Sequence, residues 1–359
     1  MTSPRTQALS EDALGMALLP IERGDLKHAR RLLRQAIDGG VSVGANASLF
    51  HGAPALEFVL GRAGRTEPGV HEAVDRLVAS RLASAVRRRG SRRQPSLAEF
   101  DLIRGLTGLG ALLLARPQPS PPLTEVLAYL VSLAHPVPPG EFADGAELPG
   151  WWSLETLGHD AAVPGGHSNH GVAHGIAGPL ALLALAVRHG VAPPGGDEAI
   201  KVFADWLRRF SGYYWMTRDQ LAEPKCAPGS VPARPSWCYG ALGIARSLQL
   251  AALATGDEAA CHAAEEIAVA ALADSASTSL VTDASLCHGW AGLLTVTRAL
   301  AADATHPARF AVHLEYLEDR LADELNTVDK PGFLEGRTGA LLAVDGTDRT
   351  GWTRALLIT

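Results

Sequence analysis

The feature that most constrains this chain is a short glycine phrase that recurs six times, each copy followed by an apolar stretch. It reads FHGAPALEFVL from Phe50, IRGLTGLGALLL from Ile103, AHGIAGPLALLALA from Ala173, CYGALGIARSLQLAAL from Cys238, CHGWAGLLTVTRAL from Cys287 and LEGRTGALLAV from Leu334. The first glycines stand at 52, 105, 175, 240, 289 and 336, so the steps are 53, 70, 65, 49 and 47 residues. A period of about 50 residues with loop insertions is the signature of stacked helical hairpins. The first glycine suits an irregular turn and the second the close approach of a neighbouring helix. The residues that follow are good helix formers, apolar on most sides, so these helices should be buried. Between the phrases, 72–85, 198–210, 258–273 and 313–324 read as outer helices with one wet face. Extended patterns are scarce, and Pro/Gly-rich stretches at 116–122, 136–150, 192–196 and 224–235 read as loops on one rim. The expected fold class is all-α: an (α/α) toroid, or double helical barrel, of six to seven hairpins, with residues 1–359 forming a single domain.

Charge and cysteine usage narrow the function. The net charge of −6 argues against nucleic acid as the main partner, because phosphate contacts favour a basic surface. The basic run RRRGSRR at 87–93 reads as a solvated loop. Four cysteines are too few for a disulfide scaffold of this size. The opening MTSPRTQALSEDAL lacks the layout of a signal peptide, and no apolar run reaches transmembrane length. The expectation is a cytoplasmic protein whose thiols are reduced and free to bind metal.

A closed ring points equivalent positions toward a common rim. One place before the first glycine stand His51, Arg104, His174, Tyr239, His288 and Glu335; two places before it stand Phe50, Ile103, Ala173, Cys238, Cys287 and Leu334. Sequential repeats are neighbours, so Cys238 and Cys287 should lie side by side with His288 next to them. Two thiolates and an imidazole suit zinc, and three ligands leave the fourth position open, as in catalytic sites. The alternative is a pair of cysteines buried at helix starts for packing alone. His174 shares the register one repeat earlier, and an imidazole beside a metal site is suited to proton transfer. Asp101, four residues before Gly105, and Arg234, four before Cys238, either reach the same mouth or are surface charges. Cys226 and Cys261 lack the register and read as incidental. His51 has no cysteine beside it and reads as packing or a substrate contact.

Several phrases together resemble the LanC family of lanthionine cyclases: SLFHGAPALEFVL, FDLIRGLTGLGALLL, LPGWW, GVAHGIAGPLALLALA, RPSWCYGALGIARSL, SLCHGWAGLL and GFLEGRTGALLAV. The order AHG, WCYG, CHG is its most specific part, and the phrases cover most of the chain. The likeness is to the stand-alone class I enzymes, since no dehydratase-like segment precedes the phrases. The resemblance implies a double ring of helices with Zn2+ at the top of a central cavity. It implies zinc ligands at Cys238, Cys287 and His288, and catalytic roles for His174, Asp101, Arg234 and Tyr239. His51 departs from the pattern, which has a small polar residue there, and 116–150 is too short for the SH2-like module that some members carry.

The implied reaction joins a cysteine thiol of a ribosomally made peptide to the β-carbon of dehydroalanine or dehydrobutyrine. Zinc deprotonates the thiol, His174 protonates the α-carbon, Arg234 stabilises the enolate and Asp101 orients His174. The implied partners are a dehydrated precursor peptide (leader plus core), a separate dehydratase and an ABC transporter. Trp151 and Trp152 either plug the toroid or anchor peptide beside the 136–150 loop. Two other functions share the sequence features: addition of a small thiol such as glutathione to dehydroamino acids, and a non-catalytic peptide-binding toroid.

Overall fold

The computed structural model describes residues 7–137, 147–155, 163–222 and 233–359. The chain opens with α1 (Ala13–Met16) and α2 (Leu18–Glu22), and α3 (Leu26–Ile37) returns it along the outside. The next hairpin is α4 (Ala53–Arg62) with α5 (Pro68–Gly90); short α6 (Leu97–Phe100) leads to α7 (Leu106–Leu114) and α8 (Pro121–Ser132). Then come α9 (Ala177–Arg188) with α10 (Gly196–Arg209), short α11 (Arg218–Ala222), and α12 (Ala241–Thr255) with α13 (Glu258–Ala273). Short α14 (Ser275–Thr278), α15 (Trp290–Asp303) with α16 (Ala311–Glu324), and α17 (Arg337–Asp345) complete the set.

The helices that follow the glycine phrases form the inner ring. α4 touches α7, α7 touches α9, α9 touches α12, α12 touches α15 and α15 touches α17; α17 packs on α2, and α1 on α4, which closes the circle. These helices are apolar around their circumference because neighbours cover them on every side: all of α9 from Ala177 to Ala186 is buried. Outer helices are one-sided. α10 turns Ala199, Ile200, Phe203, Ala204 and Leu207 inward, and each large side chain so buried contributes roughly 1.5–3 kcal/mol.

A chain of backbone hydrogen bonds ties the inner-helix starts together. Leu102 N–H donates to Ala173 O, Ala173 to Cys238, Cys238 to Cys287, Cys287 to Leu334, Leu334 to Ser10, and Leu9 to Phe50, at 2.8–3.2 Å. Each inner helix is therefore hung from a rim of shared geometry, and the residue before each first glycine has a fixed place on that rim.

The same geometry reveals a seventh repeat. In five of the phrases the second glycine stands against the carbonyl six residues upstream, where a Cβ would approach Leu102 O, Val172 O, Trp237 O, Leu286 O or Phe333 O to within 1.9–2.6 Å. Gly15 stands against Leu9 O in the same way, at 1.9 Å. The segment LSEDALG thus occupies the place of LIRGLTG, with Asp12 where the other copies have glycine. The second glycine accommodates its own turn's carbonyl first, and a neighbouring repeat's side chain second, such as Phe333 against Gly15.

One expectation is corrected. Arg87, Arg88 and Arg89 form the last turn of α5, where positive charge complements the helix dipole, and buried Arg88 pairs with Glu99 at 2.7 Å; the run is structural at this end, not a solvated loop. Of the two readings of Trp151 and Trp152 the plug holds: both are buried, and they donate to Ser168 Oγ and Gly165 O. Extended structure is scarce, as expected: among the described residues, β1 (His167–Asn169) pairs antiparallel with β2 (Trp215–Thr217). Much of the 136–150 and 224–235 loops, with Cys226, lies outside the described residues. No helix among the described residues is long and apolar enough to cross a membrane.

The C-terminal segment closes the end of the ring opposite the rim. Trp237 Nε1 donates to Leu356 O and Arg246 Nε to Ile358 O, both at 2.9 Å. A cavity of about 420 Å³ at that end is lined by Arg62, Arg116 and Arg354. The chemistry-bearing residues converge at the other end.

Candidate metal and proton-transfer site

Cys238, Cys287 and His288 meet at the rim, their ligand atoms all within 4.8 Å of one another. The two cysteines occupy the same position in adjacent repeats, and the Cys238 N–H to Cys287 O bond locks their backbones side by side. Ser236 Oγ lies 3.6 Å from Cys238 Sγ. The thiols share their protons unequally. The Cys287 thiol, against the cost of burial and with help from His288, brings Cys238 down to about 5. The Cys238 sulfur and burial push Cys287 up in turn. Asp283 and then Cys238 hold His288 up to about 9. Donor chemistry matches a borderline-soft dication: two sulfurs and one imidazole, with negative charge in surplus. Zinc fits this set, and a three-donor set leaves a coordination position for a further ligand.

Beside the cluster lies a second constellation. Asp101 is fully buried, against the reading of a surface charge. Its Oδ1 accepts from the backbone N–H groups of Arg104 and Gly105 at 2.6 and 2.8 Å, and its Oδ2 accepts from His174 Nδ1 at 2.7 Å. That bond commits Nδ1 as the protonated nitrogen and leaves Nε2 free to face the site. The His174 ring stacks at a tilt on Tyr239, centroids 6.1 Å apart. Burial raises the Tyr239 phenol, keeping it protonated at neutral pH.

The remaining residues sort clearly. Arg234 is exposed at the mouth and lines a groove of about 200 Å³ with Tyr214, Tyr239 and Ile244. His51 takes part through its backbone, paired with Ser48 and Ala8. Cys261 is buried against Glu265 on an outer helix, away from the rim. Sequence reasoning missed two contacts. Asn169 on β1 donates to the Tyr239 hydroxyl at 3.3 Å, and Asp283 lies 3.2 Å from His288 Nε2. Both stand six residues before the first glycine of their phrases, Gly175 and Gly289, and a register read only one and two places before that glycine passes over them.

Comparison with known proteins agrees with this arrangement. The lanthionine synthetase C-like protein family matches residues 20–356. The nisin biosynthesis protein NisC of Lactococcus lactis subsp. lactis is 28% identical over 214 residues, which cover 54% of this chain and 49% of that relative. The chain thus spans about half the length of the curated relative it matches. A solved structure described as nisin cyclase superposes with a TM-score of 0.81 at 20% identity, covering 99% of this chain and 93% of that one, which establishes the helical-toroid fold. With the family matched across nearly its whole length, the chain belongs to the lanthionine synthetase C-like proteins.

Proposed function

We propose that this chain is a zinc-dependent lanthipeptide cyclase, built as one toroidal domain, that forms thioether rings in a dehydrated precursor peptide supplied by a separate dehydratase. The observation that carries this reading is the meeting, on one rim, of the Cys238–Cys287–His288 cluster with the Asp101–His174 pair. Zinc bound there supplies a Lewis acid that lowers the pKa of an incoming thiol, which at about 8.5 is otherwise mostly protonated at neutral pH.

The reaction to be catalysed forms one C–S bond. The substrate thiolate adds to the β-carbon of dehydroalanine or dehydrobutyrine, the π electrons move to the carbonyl oxygen as an enolate, and a proton is delivered to the α-carbon. The proton lost from sulfur balances the proton gained by carbon. His174 moves that proton through Nε2, while Asp101 holds the tautomer through Nδ1. Tyr239, kept neutral by burial, donates a hydrogen bond to the developing enolate oxygen, and Arg234 at the mouth adds positive charge toward it.

The test is incubation with a dehydrated peptide that carries its own cysteine, with and without excess free glutathione. Thioether rings closed within the peptide support the cyclase. Exclusive glutathione adducts would convert it into a small-thiol transferase, and neither product would leave a binding scaffold.

A further inference from the structure

Asp283 is half-exposed, and an exposed carboxylate is ordinarily a solvated charge, yet every part of this one is fixed. Its Oδ1 accepts from Ser285 N–H at 2.7 Å, and its carbonyl accepts from Trp290 N–H at 2.9 Å. Ser285 Oγ in turn accepts from His288 N–H at 3.3 Å. One tight turn thus sets the carboxylate and the imidazole in a fixed relation. Gly289 makes room for it: a Cβ there would fall 2.3 Å from both Asp283 O and Oδ1. The oxygen left over, Oδ2, lies 3.2 Å from His288 Nε2.

We propose that Asp283 is a positioning residue for the metal centre, holding the Nε2 side of His288 so that the Nδ1 lone pair is presented to an ion bound between His288, Cys238 and Cys287. The inference rests on the metal reading of that cluster. Its physical basis is general. A ligating imidazole gains orientation and basicity when its other nitrogen donates to a carboxylate, and loss of such a partner weakens metal binding by about 10–100-fold. The geometry parallels Asp101 and His174 across the rim, where one carboxylate oxygen binds a turn and the other a ring nitrogen. Two Asp–His pairs of like design then serve different ends, one a proton and one an ion.

The experiment is a zinc titration of metal-stripped protein against a chromophoric chelator, for wild type, Asp283→Asn and Asp283→Ala, with circular dichroism and thermal melting of each apo protein. Asp283→Asn keeps the acceptor for Ser285 N–H but turns an amide N–H toward His288 Nε2, so it reverses the contact without unmaking the turn. Zinc affinity should fall by about 10–100-fold in Asp283→Ala and by a similar factor in Asp283→Asn, whose amide favours the proton on Nδ1, while helicity is retained. Wild-type affinity in both variants, or in Asp283→Asn alone if the alanine variant misfolds, overturns the assignment of Asp283 and leaves the metal reading standing. A wild-type protein that fails to bind zinc overturns both.

Discussion

His174 Nδ1 lies 2.7 Å from Asp101 Oδ2, a contact between residues 73 positions apart in the chain. It joins two neighbouring repeats, because the turn before α7 and the turn before α9 are hydrogen-bonded to each other through Leu102 and Ala173. His174→Asn should keep its metal and lose ring closure by about 10²–10⁴-fold, the usual span for a lost acid–base group. Asp101→Asn would offer an amide N–H to Nδ1 and favour the wrong tautomer, so its loss should be of similar size. The double variant should be little worse than either single one, because the pair acts as a unit. Additive losses in single-turnover cyclisation would separate the two residues.

The metal reading makes a stoichiometric claim. Purified protein should carry about one zinc per chain. Cys238→Ala and Cys287→Ala should each remove most of it while far-UV circular dichroism stays helical. Full zinc by elemental analysis in either variant would show that its sulfur is not a ligand.

His170 predicts a pH dependence of stability. It is buried, its Nδ1–H donates to Tyr213 O, and its Nε2 accepts from Trp206 Nε1, both at 3.0 Å. Burial brings its pKa down to about 4, from an ordinary value of 6.5. The unfolded chain therefore binds a proton at a pH where the folded chain does not, so stability is whole above 6.5 and falls as pH drops toward 4. The loss attributable to this residue is at most about 3 kcal/mol. Urea midpoints across that window should fall with acid, and a folded His170→Gln protein should show a shallower fall. An unchanged slope in that variant would assign the acid sensitivity to other groups.

The seventh repeat can be tested by its glycine. Gly15→Ala places a methyl 1.9 Å from Leu9 O, and the turn must open, so we expect destabilisation of about 2 kcal/mol or more. Gly61→Ala, in α4 with nothing within 4 Å of the new methyl, should instead stabilise by about 0.4–1 kcal/mol. Chemical denaturation of the two variants side by side distinguishes them. Equal midpoints would mean that Gly15 lacks the repeat's close contact.

The sequence by itself determined the repeat and hence the ring. Six glycine phrases set the starts of six inner helices, and the outer helices expected at 198–210 and 258–273 form as α10 and α13 within two residues. It also determined the register, so Cys238, Cys287, His288 and His174 were legible as rim neighbours before any fold was known. The reason is that hairpin stacking repeats a local geometry, and a local geometry leaves a local signature. Only the tertiary structure decided what crosses between repeats. The seventh copy was hidden because Asp12 replaces the first glycine, and its one surviving mark, Gly15, has meaning only against Leu9 O. Whether Asp101 was a surface charge or the buried partner of His174 depended on the packing of α7 beside α9. Asn169 reaches the Tyr239 hydroxyl from 70 positions away, between the turns before α9 and α12, a contact no local pattern announces. Asp283 stands six residues before Gly289, as Asn169 does before Gly175, but its contact with His288 is made by the fold of one turn, which spacing alone cannot specify.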